Sequence, residues 1–135
     1  GDRILMGEST FTVLHPNNND FSENPNAGSL VILYETNTTR GLFMGDLPSE
    51  QETSIIDDIP PCDYIKIGHH GSNDSTTSEL LEITSPKIAL ISCGKNNQYG
   101  HPGEKLLERL RGILVFRTDK QGAITIIEKD LAQIK

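Results

Sequence analysis

The run Leu30-Val31-Ile32-Leu33-Tyr34 constrains this chain more than any other feature. It is nearly continuous in apolar character, so a strand built from it has no face to give to water. Such a strand belongs in a sheet that is covered on both sides. Three more apolar runs follow it: Leu42-Phe43-Met44, Asp63 to Ile67, and Lys87 to Ser92. Helix signals lie between them. Pro48-Ser49-Glu50-Gln51-Glu52 opens one helix, with proline suited to the first turn and the acids to its positive end. Pro60-Pro61 ends that segment. Ser75-Thr76-Thr77-Ser78-Glu79 offers caps for a second helix, Glu79 standing three residues beyond Thr76. This helix reaches about Ile83 and cannot pass Pro86. Pro102-Gly103-Glu104 opens a third, which runs to about Arg111 with Leu106, Leu107 and Leu110 as its apolar stripe.

Before these elements, Phe11 to Leu14 predicts a strand ending at His15-Pro16, and Asn17 to Asn26 a long surface loop. The turn at Asn37 to Arg40 joins its flanking strands into a hairpin. At the other end, Val115-Phe116-Arg117, a turn at Asp119-Lys120-Gln121-Gly122, and Ala123 to Ile127 predict a closing hairpin. The sum is an α/β fold, a mixed sheet with flanking helices, in a single domain spanning 1–135.

Chemistry-bearing residues follow the strand tips. Gly45-Asp46 ends one apolar run, Gly68-His69-His70-Gly71-Ser72 the next, and Ser92-Cys93-Gly94 a third. If these strands are parallel, the tips share the edge of the sheet where α/β proteins place their sites. Asp46 is a helix cap or a carboxylate able to bridge two metal ions. Adjacent strand residues point to opposite faces, so only one of His69 and His70 aims at the site unless the chain turns there. Two histidines between glycines after a buried strand point to metal ligation by at least one of them. His101, in Tyr99-Gly100-His101-Pro102, is a loop histidine or a group reaching a substrate phosphate or leaving group, helped by the N-terminus of the next helix. Asn96 and Asn97 offer hydrogen bonds to substrate in the same loop. His15 is read as a strand-terminating residue or a support behind the site. Cys93 has no assignable base and is not read as a nucleophile.

Composition narrows the classes. The net charge of −7 argues against broad electrostatic binding to nucleic acid, although bound divalent cations would offset it locally. Tryptophan is absent and aromatics are few, which argues against an aromatic base-stacking platform. Cys62 and Cys93 have no metal or disulfide spacing. No apolar run approaches the roughly 20 residues of a spanning helix, and Gly1-Asp2-Arg3 lacks the features of a signal peptide. Phosphate-binding glycine loops, GxSxG and HExxH are all missing.

Taken together, the motifs resemble the metallo-β-lactamase-like domain of the ComEC family of DNA-uptake proteins. The likeness runs in order through Val13-Leu14-His15-Pro16, Ser29 to Leu33, Leu42-Phe43-Met44-Gly45-Asp46 and Asp63 to Ser72. It continues through Pro86 to Ser92, Asn96-Asn97-Gln98-Tyr99-Gly100-His101-Pro102, and Arg117-Thr118-Asp119 with Gly122. The combination of the Gly-Asp, His-His-Gly-Ser and Tyr-Gly-His-Pro segments is what makes it specific.

The resemblance implies an αββα sandwich with metals, zinc or manganese, at one edge of two sheets. It implies hydrolysis by a metal-bound hydroxide, with DNA as substrate and a bacterial membrane protein as parent, this domain lying outside the bilayer. Asp46 matches the bridging aspartate. The His69-His70 segment matches the last histidine ligand, with His69 favoured. Asp46 and His101 are then the catalytic candidates, and Ser72, Asn96 and Asn97 the substrate-binding ones. The HxHxDH-type cluster of the superfamily's first half does not occur here. The chain is therefore expected to be the C-terminal half of the domain, soluble, inactive alone, and prone to self-association through an apolar face that the missing half would cover. Fragments of a free-standing phosphoesterase, or a non-catalytic binding module on the same fold, are the alternatives.

Overall fold

The computed structural model describes residues 1–16 and 23–131, except the side chains of 129 and 130. Seven strands form one sheet in chain order: β1 (Arg3–Met6), β2 (Ser9–His15), β3 (Val31–Glu35), β4 (Arg40–Phe43), β5 (Tyr64–Lys66), β6 (Ile88–Ile91) and β7 (Leu114–Arg117). The first four make an antiparallel meander, and β4 to β7 are parallel. The sheet is therefore mixed, as the alternation of apolar runs and helix signals predicts. Each parallel step needs a crossover, and each crossover carries a short helix: α1 (Ser49–Glu52), α2 (Ser78–Thr84) and α3 (Glu104–Arg109).

All three crossovers pack on one face. Leu47, Ile55, Leu80, Leu81, Leu106 and Leu110 meet Val31, Leu33, Leu42, Ile65, Ala89 and Ile91 in one buried core. Most of these side chains lie within 2% of full burial, and each large one contributes about 1.5–3 kcal/mol by leaving water. The period of two places Tyr34, Phe43, Tyr64, Ile88, Leu90 and Phe116 on the opposite face. There Tyr64 and Ile88 are buried with Leu131, while Phe43, Leu90, Phe116 and Ile126 stay half-buried. The apolar run of β3 is apolar on both sides for this reason: Val31 and Leu33 serve one core, and Tyr34 the other.

Four expectations change. The closing hairpin is not formed. After β7 the chain enters a helical turn, α4 (Thr118–Gln121), and Gly122 (φ 73°) redirects it. The stretch 123–127 then pairs with no strand, and Ile126 and Leu131 of α5 (Glu128–Leu131) cover part of the second face instead. The competing contact is Thr118, whose hydroxyl accepts from Cys93 N (2.9 Å) and donates to Cys93 O (2.8 Å), drawing the chain toward the tip of β6. The cap of α2 is Thr77, not Thr76: its hydroxyl accepts from Leu80 N, while Thr76 adopts a left-handed φ of 55°. α3 ends at Arg109, two residues early. Finally, the N-terminal residues form β1, joined to β2 through Gly7-Glu8, with Gly7 at φ 62°. Much of the expected 17–26 loop lies outside the described residues; its end is a 3-10 turn, Pro25–Gly28.

Candidate functional site

The parallel strands bring their C-terminal ends together, and the backbone pairing continues past them. Met44 N donates to Lys66 O, Ile67 N to Leu90 O, and His69 N to Gly45 O (3.0 Å). This last bond sets the histidine pair beside the Gly45-Asp46 turn. Gly45 needs its freedom there: φ is 56°, and a Cβ would lie 2.7 Å from Leu30 O.

The histidines do not follow strand alternation. Residues His69–Gly71 form a 3-10 turn, and His69 and His70 take left-handed φ of 46° and 53°. Such values are rare for residues with a Cβ and are enriched at functional sites. The turn lets both rings face the sheet edge. His70 Nδ1 donates to Ser92 O (2.8 Å), because a carbonyl can only accept. Its Nε2 then faces Asp46 Oδ1 at 3.6 Å. The structure thus pairs Asp46 with His70, whereas the resemblance favoured His69. Both side chains remain open to solvent, at 52% and 39% exposure.

His69 turns another way. Its Nε2 accepts from Asn26 Nδ2 at 3.4 Å, and its ring lies 5.9 Å from that of His101. His101 joins the cluster, and its pKa is lowered, first by burial and then by the charges of His69 and His70. The first turn of α3 is partly committed elsewhere. That helix has six residues, and Leu106 N already bonds Asn73 Oδ1.

Two of the three substrate-binding candidates, Asn97 and Ser72, have internal tasks. Asn97 Nδ2 donates to Gly94 O (3.0 Å) and His101 O (2.7 Å), and its Oδ1 accepts from His101 N (2.9 Å). It clamps its own loop. Ser72 is buried, and its hydroxyl accepts from Asp74 N. Asn96 is exposed, with φ 58°. His15 is fully buried, and its Nδ1 donates to Ser29 O, in the segment that Gly45 abuts. Cys93 donates its thiol to Asp119, and burial followed by that bond pushes its pKa up, the opposite of an activated thiol.

Lys66 and Asn26 are neighbours that strand and loop patterns hid. Lys66 occupies a register position beside Phe43 and Leu90. Its ammonium donates to Ile67 O, and burial lowers its pKa against the pull of Asp46. Among the described residues, no group of three or more His, Cys, Asp or Glu side chains is placed to hold a metal ion. Asp46 and His70 supply two donors, one short of the three protein ligands of a catalytic zinc.

Comparison with known proteins bears on what this arrangement belongs to. No protein-family model matches the chain. Over 128 residues, 92% of its length, it is 40% identical to ComE operon protein 3 of Bacillus subtilis. It is 39% identical over 88 residues to competence protein ComA of Neisseria gonorrhoeae, and 33% over 100 residues to recombination protein 2 of Haemophilus influenzae. The chain belongs to the ComEC family of competence proteins. It spans 16% of the length of the first of these relatives and 13% of each of the others.

Behind the histidine turn of this ComEC-family chain lies a buried polar support that sequence reading did not find. Glu52 is fully buried at the end of α1. Its carboxylate accepts from Thr76 N, Thr77 N and the Thr77 hydroxyl. Thr76 Oγ1 in turn accepts from Gly68 N, and Ser75 Oγ donates to Gly68 O. Arg109 reaches in from α3 and donates to Asn73 O, Ser75 O and Thr76 O. Gly68 is thus gripped on both polar groups immediately before His69. Gly71, at φ 90°, closes the turn against Pro102: a Cβ would stand 2.7 Å from Pro102 Cβ. Gly103 N donates to Gly71 O, which docks the His101 loop onto the turn.

Proposed function

We propose that this ComEC-family segment is one half of a metallo-β-lactamase-like domain, and that it contributes Asp46 and His70 to a divalent-metal site that hydrolyses DNA phosphodiesters in the complete protein. The observation that carries the reading is the facing pair itself. With Nδ1–H committed to Ser92, neutral His70 presents a lone pair at Nε2, and Asp46 presents a carboxylate oxygen. Two acceptors at 3.6 Å, both open to solvent, can share a cation, a proton or a water between them, and a divalent cation is the reading that uses both as ligands. A carbonyl bond to the far nitrogen is also the usual way a ligating histidine is oriented.

Two donors do not complete a hydrolytic centre, so no step of hydrolysis is assigned to this chain alone. The remaining donors would come from another part of the polypeptide, packed against the half-buried second face of the sheet. His101 lies close enough to serve as a proton donor to a leaving group once that centre is complete. The parent would be a membrane protein; among the described residues no helix is long and apolar enough to cross a membrane. A non-catalytic module is the second reading, favoured by the donor count alone.

Calorimetric titration of the chain with manganese or zinc, paired with a nuclease assay on single-stranded DNA, tests the half-site. The expected result is binding weaker than micromolar and no turnover. Tight binding with sustained cleavage would show a complete site and refute it. Failure of Asp46→Asn and His70→Ala to change metal affinity would favour the non-catalytic module.

A further inference from the structure

Beside the Asp46–His70 pair lies a cavity of about 210 Å³, lined by His70, Cys93, Gly94, Asn97, Tyr99 and His101. It is smaller than the roughly 300–1,000 Å³ of sites that enclose a drug-sized ligand. One ring fits such a space; a whole nucleotide or peptide does not. At its mouth stands Tyr99, 73% exposed and the only aromatic residue among the described ones that is so open. Phe11, Tyr34, Phe43, Tyr64 and Phe116 are all at least half-buried.

Tyr99 is exposed yet held. Its ring lies nearly parallel to that of His101, with 20° between planes and 5.9 Å between centroids. The loop beneath it is clamped by the three hydrogen bonds of Asn97 described above. The outer face of the phenol ring is an apolar plane open to solvent, presented next to the residues proposed to hold metal. A planar ligand that stacks there meets a loop already clamped by Asn97, which limits the ordering needed on binding.

The chemistry of the surroundings narrows the ligand. The chain is acidic overall, and the loop carries one cation, Lys95, which is exposed. A ligand held by phosphate contacts would want a basic track. The net charge that argues against broad backbone binding leaves the aromatic face as the contact on offer, and an aromatic face accepts any base.

We propose that Tyr99, backed by His101, is a stacking subsite for one base of a single-stranded DNA, seating the nucleotide beside the scissile position. This rests on the nucleic-acid reading above and adds to it a base contact independent of metal.

The test uses the whole chain in the presence of EDTA. Two tetranucleotides are titrated: tetrathymidylate, and the same backbone with abasic sites. Binding is followed by NMR of the Tyr99 ring signals and by fluorescence anisotropy of labelled strands. The base-bearing strand is expected to bind about tenfold more tightly than the abasic one, with Tyr99→Ala abolishing the difference and Tyr99→Phe retaining it. Equal affinity for both strands, or an unchanged ratio in Tyr99→Ala, would overturn the stacking subsite and leave the DNA reading standing. Binding of neither strand at millimolar concentration would overturn the stacking subsite, while the metal-site reading is tested separately by the metal titrations of Asp46→Asn and His70→Ala. Circular dichroism of the variants checks that the exposed loop position leaves the fold intact.

Discussion

His70 Nε2 and Asp46 Oδ1 face each other across 3.6 Å, on turns that follow adjacent parallel strands. The register of β4 against β5 makes them neighbours, and Ser92 O, just past β6, fixes the tautomer of His70. Three consecutive strands therefore cooperate to aim one nitrogen at one oxygen. His69, one residue away, is committed to Asn26 and faces His101.

This asymmetry predicts unequal effects in metal binding. Asp46→Asn and His70→Ala should each lower manganese or zinc affinity at least about tenfold. His69→Ala should change it less. Paramagnetic broadening by manganese gives the ranking directly. Stronger loss on His69→Ala than on His70→Ala would reverse the assignment.

Glu52 predicts a stability effect at a distance from the chemistry. Three donors converge on a carboxylate that is wholly excluded from water. Glu52→Gln places an amide NH₂ where only donors point, leaving at least one N–H without a partner. The expected cost is about 1.5–3 kcal/mol, the scale of a buried bond to a charged group. Urea denaturation should show a lower midpoint at an unchanged slope. Because Thr76 and Gly68 stand between Glu52 and His69, the His69 and His70 ring signals should also shift in the variant's NMR spectrum. A midpoint within error of the wild type would show that the network is not a support.

The elements most legible in the sequence are those written in apolar periodicity and proline. β3 to β6, the sites of α1 to α3 and the shared edge of the parallel strands follow from Leu30 to Tyr34, Pro48, Pro86 and Pro102 read in order. What was hidden depends on contacts across the fold. Ala123 to Ile127 alternates as a strand does, yet Thr118 bonds to Cys93 and redirects the chain over the second face. Glu52 looked like a first-turn acid, and no local pattern marks it as a buried acceptor for residues 24 and 25 positions later. For the histidines, alternation predicts one inward ring. The left-handed turn that presents both requires Gly68, Thr76 and Arg109 together. β1 carries its own signal, the apolar Ile4-Leu5-Met6 followed by glycine.

Asp119 predicts an acid limb in stability. Arg117 grips it with two bonds, 3.0 and 2.7 Å, and holds its pKa down at about 2, against an ordinary 3.8. The folded state therefore releases this proton more readily than the unfolded chain. The resulting stabilisation is fully present above the ordinary value and is lost as pH falls from about 4 toward 2. In Asp119→Asn that contribution is gone at every pH. Stability of wild type and variant, measured by urea titration at steps of pH, should diverge above about 4 and converge near 2. Parallel curves through this window would show that the Arg117 pair does not distinguish the folded from the unfolded state.

The β1 edge predicts self-association. Ile4, Leu5 and Met6 are 61%, 76% and 63% exposed, so neither face of this strand is covered, and its outer edge pairs with no described strand. The helices cover the core built on β3 to β6, and the C-terminal stretch reaches only the far half of the second face. An exposed apolar edge, even one of four residues, offers unpaired backbone groups for pairing with another chain. Sedimentation velocity over a range of concentrations should show a reversible shift to larger species. Leu5→Lys, which puts a charge on the edge without touching any core residue, should move the chain toward monomer and leave its urea midpoint unchanged. A wild type that stays monomeric at high concentration would overturn the prediction.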